Sequence, residues 1–364
     1  MVSFAPTEEQ QMIVDSVHDF AQEQLRSIMR EADETGEIPR DIIQTGWGLG
    51  IVPANIPEEY GGFASEHSAL TGALVAETLA WGDLSSALYI TSPLSVAIPI
   101  LLGGTEEQKT EYLPRFTGEE FVPATAALLE PRITYDPLEL DTTAVKDGDV
   151  YLLNGAKAYV PIAADAAMML VWANEGGKTQ GFLVDMSAQG LQIGEREKNM
   201  GIKGLPTYKV TLRDVHVSPK CKLGGEEGVD FTKILNYSRI ALAAMSVGVA
   251  KGAYEYALNY AKERETFGAP IATRQAVAFM LAEMCTDIDG ARLLVWEAAW
   301  RMDQGKDASR EVRLAKTFCD DMSLMVTDRA VQILGGHGYV RDHPVELWLR
   351  NARSFAVLDG LGMV

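Results

Sequence analysis

The feature that most constrains this chain is a helical stretch with almost no polar side. Leu242, Met245, Val249, Ala253, Tyr256 and Tyr260 recur at i+3 and i+4 spacing, and Ala243, Val247 and Ala250 widen the stripe nearly all the way round. A helix apolar on every side cannot face water. It is expected at the centre of a bundle or beneath a second chain. Two more long stripes follow, Ala276, Phe279, Met280, Met284 and Ile288, then Val312, Ala315, Cys319, Met322 and Val326. The last third of the chain therefore reads as packed helices.

The first third is helical in the same style. Ile13, Val17, Phe20, Ala21, Leu25 and Ile28 keep the spacing, with Thr7, Glu9 and Gln10 as a capped start. Segments 68–81 and 106–116 continue the pattern. From about Phe121 the texture changes to short apolar runs broken by turn residues: Tyr151-Leu152-Leu153, Met168 to Trp172, Phe182-Leu183-Val184 and Tyr208 to Val217. These read as strands, with Asp147-Gly148 as a hairpin signal. The loop Leu223-Gly224-Gly225-Glu226-Glu227-Gly228 returns the chain to helix. The expected organisation is α+β in three regions: helices over 1–120, a β domain over 121–226 and a helical domain over 227–364.

Charge and cysteine usage narrow the function classes. With 32 Lys and Arg against 51 Asp and Glu, the net charge of −19 repels phosphate backbones and anionic membranes. Neither nucleic acid nor membrane is expected as a partner, and no run approaches the ~18 to 20 apolar residues of a membrane span. The amino-terminal stretch MVSFAPTEEQQ lacks the basic and apolar regions of a leader, so a cytoplasmic location is expected. Cys221, Cys285 and Cys319 lie far apart and fit reduced thiols. The five histidines are scattered without ligand spacing, and no metal site is expected.

Three motifs carry chemistry. Gly335-Gly336 follows the helical run ending Gln332-Ile333-Leu334; paired glycines let a backbone approach a phosphate and offer it N–H groups. Arg264-Glu265-Thr266-Phe267-Gly268 places a fixed cation beside an aromatic. Asp359-Gly360 supplies a carboxylate at a turn. Singly, the glycines read as a helix stop, Arg264 as a solvated helix-end charge and Asp359 as a turn residue. Together they resemble the acyl-CoA dehydrogenase family. Arg264 to Ile271 with Gln275, Gln332 to Tyr339 with Pro344-Val345-Glu346, and the middle segments Leu183-Val184-Asp185 and Met200-Gly201-Ile202-Lys203-Gly204 stand in the family's order.

That resemblance implies a helical domain, a middle β-barrel or sheet and a carboxy-terminal four-helix bundle, with FAD as cofactor. It implies α,β-dehydrogenation of an acyl-CoA thioester: a carboxylate takes the α-proton and the flavin takes the β-hydride. By position, Asp359 is the base, replacing the usual glutamate, and relatives acting on cyclic or unusual acyl groups work with aspartate. Arg264, Phe267, Gln332, Gly335 and Gly336 fall on contacts to a neighbouring subunit's FAD, and Thr266 and Gln275 on further cofactor contacts. Leu129 and Tyr159 fall on contacts to the chain's own flavin, and Asn236, Arg239 and Gly360 on the substrate side. The implied partners are an electron-transfer flavoprotein and either a second copy or a homologous subunit.

The chain also departs from the family pattern. The flavin loop, usually rich in small residues, reads Leu129-Glu130-Pro131-Arg132-Ile133-Thr134-Tyr135-Asp136, so any φ > 0 conformation there is expected to be costly. The family's Trp-Ile-Thr aligns with Tyr159-Val160-Pro161, and proline brings neither hydroxyl nor N–H. The sequence stops at Val364, short of the helical tail that usually follows the base. The losses in the flavin loop and at Pro161 frame an alternative, a catalytically silent partner subunit of a heteromeric enzyme.

Overall fold

The computed structural model describes residues 5–364; the first four, part of the amino-terminal stretch considered above, lie outside it. Thr7 caps α1 (Glu8–Phe20) through a reciprocal box: its Oγ1 accepts from the Gln10 N–H at 3.2 Å, while Gln10 Oε1 accepts from the Thr7 N–H at 3.0 Å. One π-helical turn leads into α2 (Arg26–Thr35), which stops at Gly36 in the left-handed conformation. Then come α3 (Arg40–Gly48), α4 (Ala69–Gly82), α5 (Leu84–Thr91), α6 (Leu94–Gly103) and α7 (Glu106–Tyr112). The carboxylate of Asp303, far along the chain, accepts from the first N–H groups of α4 at 2.6 and 3.2 Å, where a negative charge suits the helix start.

The middle region is a seven-stranded sheet. Its strands are β1 (Ala124–Ala127), β2 (Thr143–Asp147), β3 (Val150–Pro161), β4 (Met168–Glu175), β5 (Lys178–Val184), β6 (Leu191–Arg196) and β7 (Thr207–Val217). They run in the order β1-β4-β2-β3-β7-β6, with β5 also on β4. The Asp147-Gly148 turn joins β2 to β3, with Gly148 at φ 58°. Tyr151, Leu153, Val171, Phe182, Val210 and Leu212 form this sheet's own core.

The remainder is helical: α8 (Phe231–Glu263), α9 (Gln275–Asp303), α10 (Ser309–Leu334), α11 (Gly336–Tyr339) and α12 (Val345–Ala352), with the short ribbon β8 (Glu265–Thr266) and β9 (Ala269–Pro270) between α8 and α9. Met245, Val247, Val249 and Ala250 are 0% exposed, covered by α4, α9 and α10 of the same chain. The central helix thus needs no second chain to hide it. Gly248 permits the close approach of α4, since a Cβ there would stand 2.1 Å from the Glu77 carbonyl oxygen. One stripe differs from expectation. Ala276 and Phe279, at the start of α9, are exposed, and the buried face begins at Leu281 and continues through Met284, Ile288, Ala291 and Val295. Periodicity fixes a face but not where its neighbours begin to cover it.

The two ends of the chain clasp each other. Arg350 on α12 donates from Nη1 and Nη2 to the buried Asp33 of α2 at 2.7 and 2.6 Å, and Glu346 bridges Arg350 and Arg30.

Candidate active site

A cavity of about 600 Å³ opens where the loop after β1, the end of β3, α8, α10 and the segment after α12 meet. Leu129, Tyr135, Tyr159, Arg239, Asp320 and Asp359 all line it.

The loop from Leu129 to Thr142 is held by charge. The buried carboxylate of Glu130 accepts from the backbone N–H of Asp141 at 2.7 Å and Thr142 at 2.8 Å, and from Lys157 Nζ at 3.0 Å. Lys157, on β3, is fully buried and also donates to the Leu128 carbonyl at 3.1 Å. Burial pushes the Lys157 ammonium down to about 8, against the pull of Glu130. Burial also pushes Glu130 up, but Lys157 and the N–H donors outweigh it and hold its carboxyl below the usual range. Arg132 adds bonds to Asp141 and to the Glu139 carbonyl. No residue from 129 to 136 has positive φ, so the expected strain in this loop is absent. The strained positions are instead Tyr159 at φ 52° and Ile162 at 47°, on either side of Val160-Pro161. The Tyr159 N–H is held by Glu197 Oε2 at 3.0 Å.

Asp359 faces Arg239, with Nη2 to Oδ2 at 3.1 Å and Nε to Oδ1 at 3.4 Å. Gly360 sits at φ 77°, donates its N–H to Ser238 Oγ at 3.0 Å, and has Leu128 so close that a Cβ would meet its Cδ2 at 2.7 Å. Glycine is thus required both by the turn and by the space. Asn236, one turn before Arg239 on α8, is held by Ser309 Oγ at 3.2 Å.

Sequence reasoning passed over three groups here. Lys316 donates to both oxygens of Asp320 at 2.8 and 2.6 Å, and to the Phe355 carbonyl at 2.9 Å, tying α10 to the segment that carries Asp359. Burial pushes Asp320 up to about 6, against Lys316, and Asp359 adds to the rise. Their i, i+4 spacing was the available signal. The third is Tyr135, whose buried Oη has no hydrogen-bond partner among the described residues.

The remaining sequence candidates gather elsewhere. Arg264 ends α8, and Thr266 pairs with Ala269 across the β8–β9 ribbon. Arg274 Nη2 bonds the Thr266 carbonyl at 2.8 Å and braces the loop that presents Phe267, 99% exposed at φ 52°. Gln275, Gln332, Gly335 and Gly336 are exposed too, and a Cβ on either glycine would meet nothing within 4 Å. His337 Nδ1 lies 2.8 Å from Tyr260 Oη, which fixes the glycine turn against the end of α8. Arg239 and Arg264 are 25 positions apart along α8, roughly 37 Å at 1.5 Å per residue. The cavity and the outer cluster therefore lie far apart along α8.

The residues suit FAD on two observations. The cavity offers the apolar walls Leu129 and Tyr159 together with the unpartnered Tyr135 hydroxyl. The outer cluster offers open glycine backbone beside a cation and an aromatic.

Comparison with known proteins agrees along the whole chain. Residues 7–120, 125–215 and 228–362 match, in turn, the acyl-CoA dehydrogenase N-terminal, middle and C-terminal domains. The chain is 37% identical to the caffeyl-CoA reductase-Etf complex subunit CarC of Acetobacterium woodii, over 98% of this chain and 96% of that one. It is 34% identical to cyclohex-1-ene-1-carbonyl-CoA dehydrogenase of Syntrophus aciditrophicus, over 98% and 88%. Among solved structures, butyryl-CoA dehydrogenase from Megasphaera elsdenii superposes with a TM-score of 0.90 at 31% identity, covering 100% of this chain and 96% of that one.

Proposed function

The chain belongs to the acyl-CoA dehydrogenase family of FAD-dependent oxidoreductases, and on that premise we propose that Asp359 is the base that takes the α-proton of an acyl-CoA thioester. The observation that carries this is the placement of Asp359 in the cavity wall, with its carboxylate on Arg239 and the N–H of the following Gly360 on Ser238. When bound, the flavin accepts the β-hydride. Arg239 orients the Asp359 carboxylate through its two hydrogen bonds. Aspartate is one methylene shorter than glutamate, so the substrate's Cα must come closer to the Asp359 backbone. A flat or ringed acyl group meets that demand better than a flexible chain, and the relative named for cyclohex-1-ene-1-carbonyl-CoA supports the same class. Asn236 and Gly360 lie on the substrate side.

Leu129 and Tyr159 contact the chain's own flavin. Arg264, Thr266, Phe267, Gln275, Gln332, Gly335 and Gly336 complete the site of a neighbouring chain, a division supported by the ~37 Å between the two groups. An electron-transfer flavoprotein is the proposed oxidant, since the relative from A. woodii is named as part of an Etf complex.

Expressed alone, the protein should carry FAD and bleach when a suitable acyl-CoA is added. Asp359→Asn should slow flavin reduction at least ~100-fold, the lower end of what a positioned general base contributes. Undiminished reduction would remove the assignment. A colourless preparation that gains flavin only on co-expression with a second acyl-CoA dehydrogenase-like chain would establish the silent-subunit alternative instead.

A further inference from the structure

The segment from Ser354 to Gly360, which carries the proposed base, has no regular secondary structure. Its own bonds are local, with the Val357 and Leu358 N–H groups both donating to the Ser354 carbonyl at 2.9 and 3.1 Å. Polar tethers to the rest of the fold therefore matter. Two come from α8, where Arg239 holds Asp359 and Ser238 accepts from Gly360. Another comes from α10, where Lys316 Nζ donates to the Phe355 carbonyl at 2.9 Å, four residues before the base.

An exposed lysine and aspartate at i, i+4 contribute little to a fold. Lys316 and Asp320 are placed differently, with side chains only 12% and 18% exposed. An ammonium has three N–H donors. The two Asp320 oxygens and the Phe355 carbonyl take up all of them. Lys316 thus lines the cavity with no donor left for a ligand, and its hold is on the chain itself. A short acid such as aspartate cannot make up for a displaced backbone, and a misplacement of about 1 Å can cost about 100-fold in rate. We propose that Lys316 is a positioning residue: anchored by Asp320, its ammonium holds the Phe355 carbonyl and so sets how far the Asp359 carboxylate reaches towards the substrate. The inference rests on Asp359 being the base.

The test isolates proton removal. Its probe is (phenylthio)acetyl-CoA, a ringed thioester with sulfur in place of the β-carbon, from which no hydride can leave. Exchange of its α-hydrogens in heavy water, followed by mass spectrometry on FAD-loaded protein, reports the base alone. Lys316→Met should slow exchange at least about 10-fold while calorimetric affinity for the probe stays within about 2-fold, the pattern of a group that acts on the transition state and not on binding. Asp359→Glu alters the reach directly, so its effect on exchange should differ at least about 5-fold between the wild-type and Lys316→Met backgrounds. Equal effects in the two backgrounds would overturn the proposal, because a general loss of stability does not distinguish one acid from the other. Wild-type exchange in Lys316→Met, beside an inactive Asp359→Asn, would also overturn it and leave the base intact. Should Lys316→Met not load FAD, Asp320→Asn decides. It keeps the shape and one acceptor, and should slow exchange about 3-fold through a weakened charge-assisted bond; wild-type exchange there would overturn the proposal. Full exchange in Asp359→Asn would instead strike the base assignment.

Discussion

Replacing Lys157 by methionine tests whether charge pins the loop that carries Leu129 and Tyr135. The ammonium is fully buried, 3.0 Å from Glu130 Oε1 and 3.1 Å from the Leu128 carbonyl. Methionine fills most of the volume and removes both bonds. Breaking one side of a buried pair costs about 3 to 5 kcal/mol. Glu130 keeps two backbone N–H donors and a guanidinium at 3.5 Å, which places Lys157→Met near the lower end, about 3 kcal/mol. Glu130→Gln leaves the opposite charge stranded and should cost a similar amount. Removing both leaves neither charge unpaired, so the double variant should lose about 2 kcal/mol less than the sum of the singles, as buried pairs replaced together are often near neutral. Urea unfolding of the four proteins at one pH closes the cycle, and flavin content reports the loop directly. Single losses that add to the double within about 0.5 kcal/mol would refute the argument, since additivity of that quality marks independent sites.

Acid stability offers a second test. Burial pushes the His67 imidazole down to about 4, against the Val364 backbone. Between pH 6.5 and 4 the unfolded chain binds a proton there that the folded chain does not. The contribution is therefore present above pH 6.5 and is lost as pH falls towards 4, by about 3 kcal/mol at 1.36 kcal/mol per unit. His67→Phe should flatten the fall of the urea midpoint over this range, and an unchanged slope would dismiss the cause. Sedimentation at micromolar concentration should show an assembly of two or more chains burying more than ~1,000 Å² in total; a lone 39.7 kDa species would rule out a shared cofactor site.

The fold was legible where local chemistry and periodicity agree. The Thr7 box, the Asp147-Gly148 hairpin and the buried stripe from Val312 to Val326 are each set by residues within a turn or two of one another. Ala276 and Phe279 misled because their helix outruns its neighbours, which no local pattern records. At the site, motif order drew Asp359, Leu129, Tyr159 and Arg239 together, and all four line one cavity. Lys157 meets Glu130 and the Leu128 carbonyl 27 and 29 positions away, and Lys316 meets the Phe355 carbonyl 39 positions on, contacts that no local pattern records. Tyr135 was invisible for a different reason: a missing partner is a property of three-dimensional space alone.

The clasp between Arg350 and Asp33 spans 317 positions, and this gives the molecule a timetable. A polypeptide grows from its amino end at roughly 5 to 20 residues per second. Asp33 therefore waits about 15 to 60 s on the ribosome for the guanidinium that will neutralise it in the interior. Until then only the Lys203 ammonium, 3.8 Å away in the finished fold, offsets the burial of Asp33. The helix that carries Asp33 is complete only when α12 has been made.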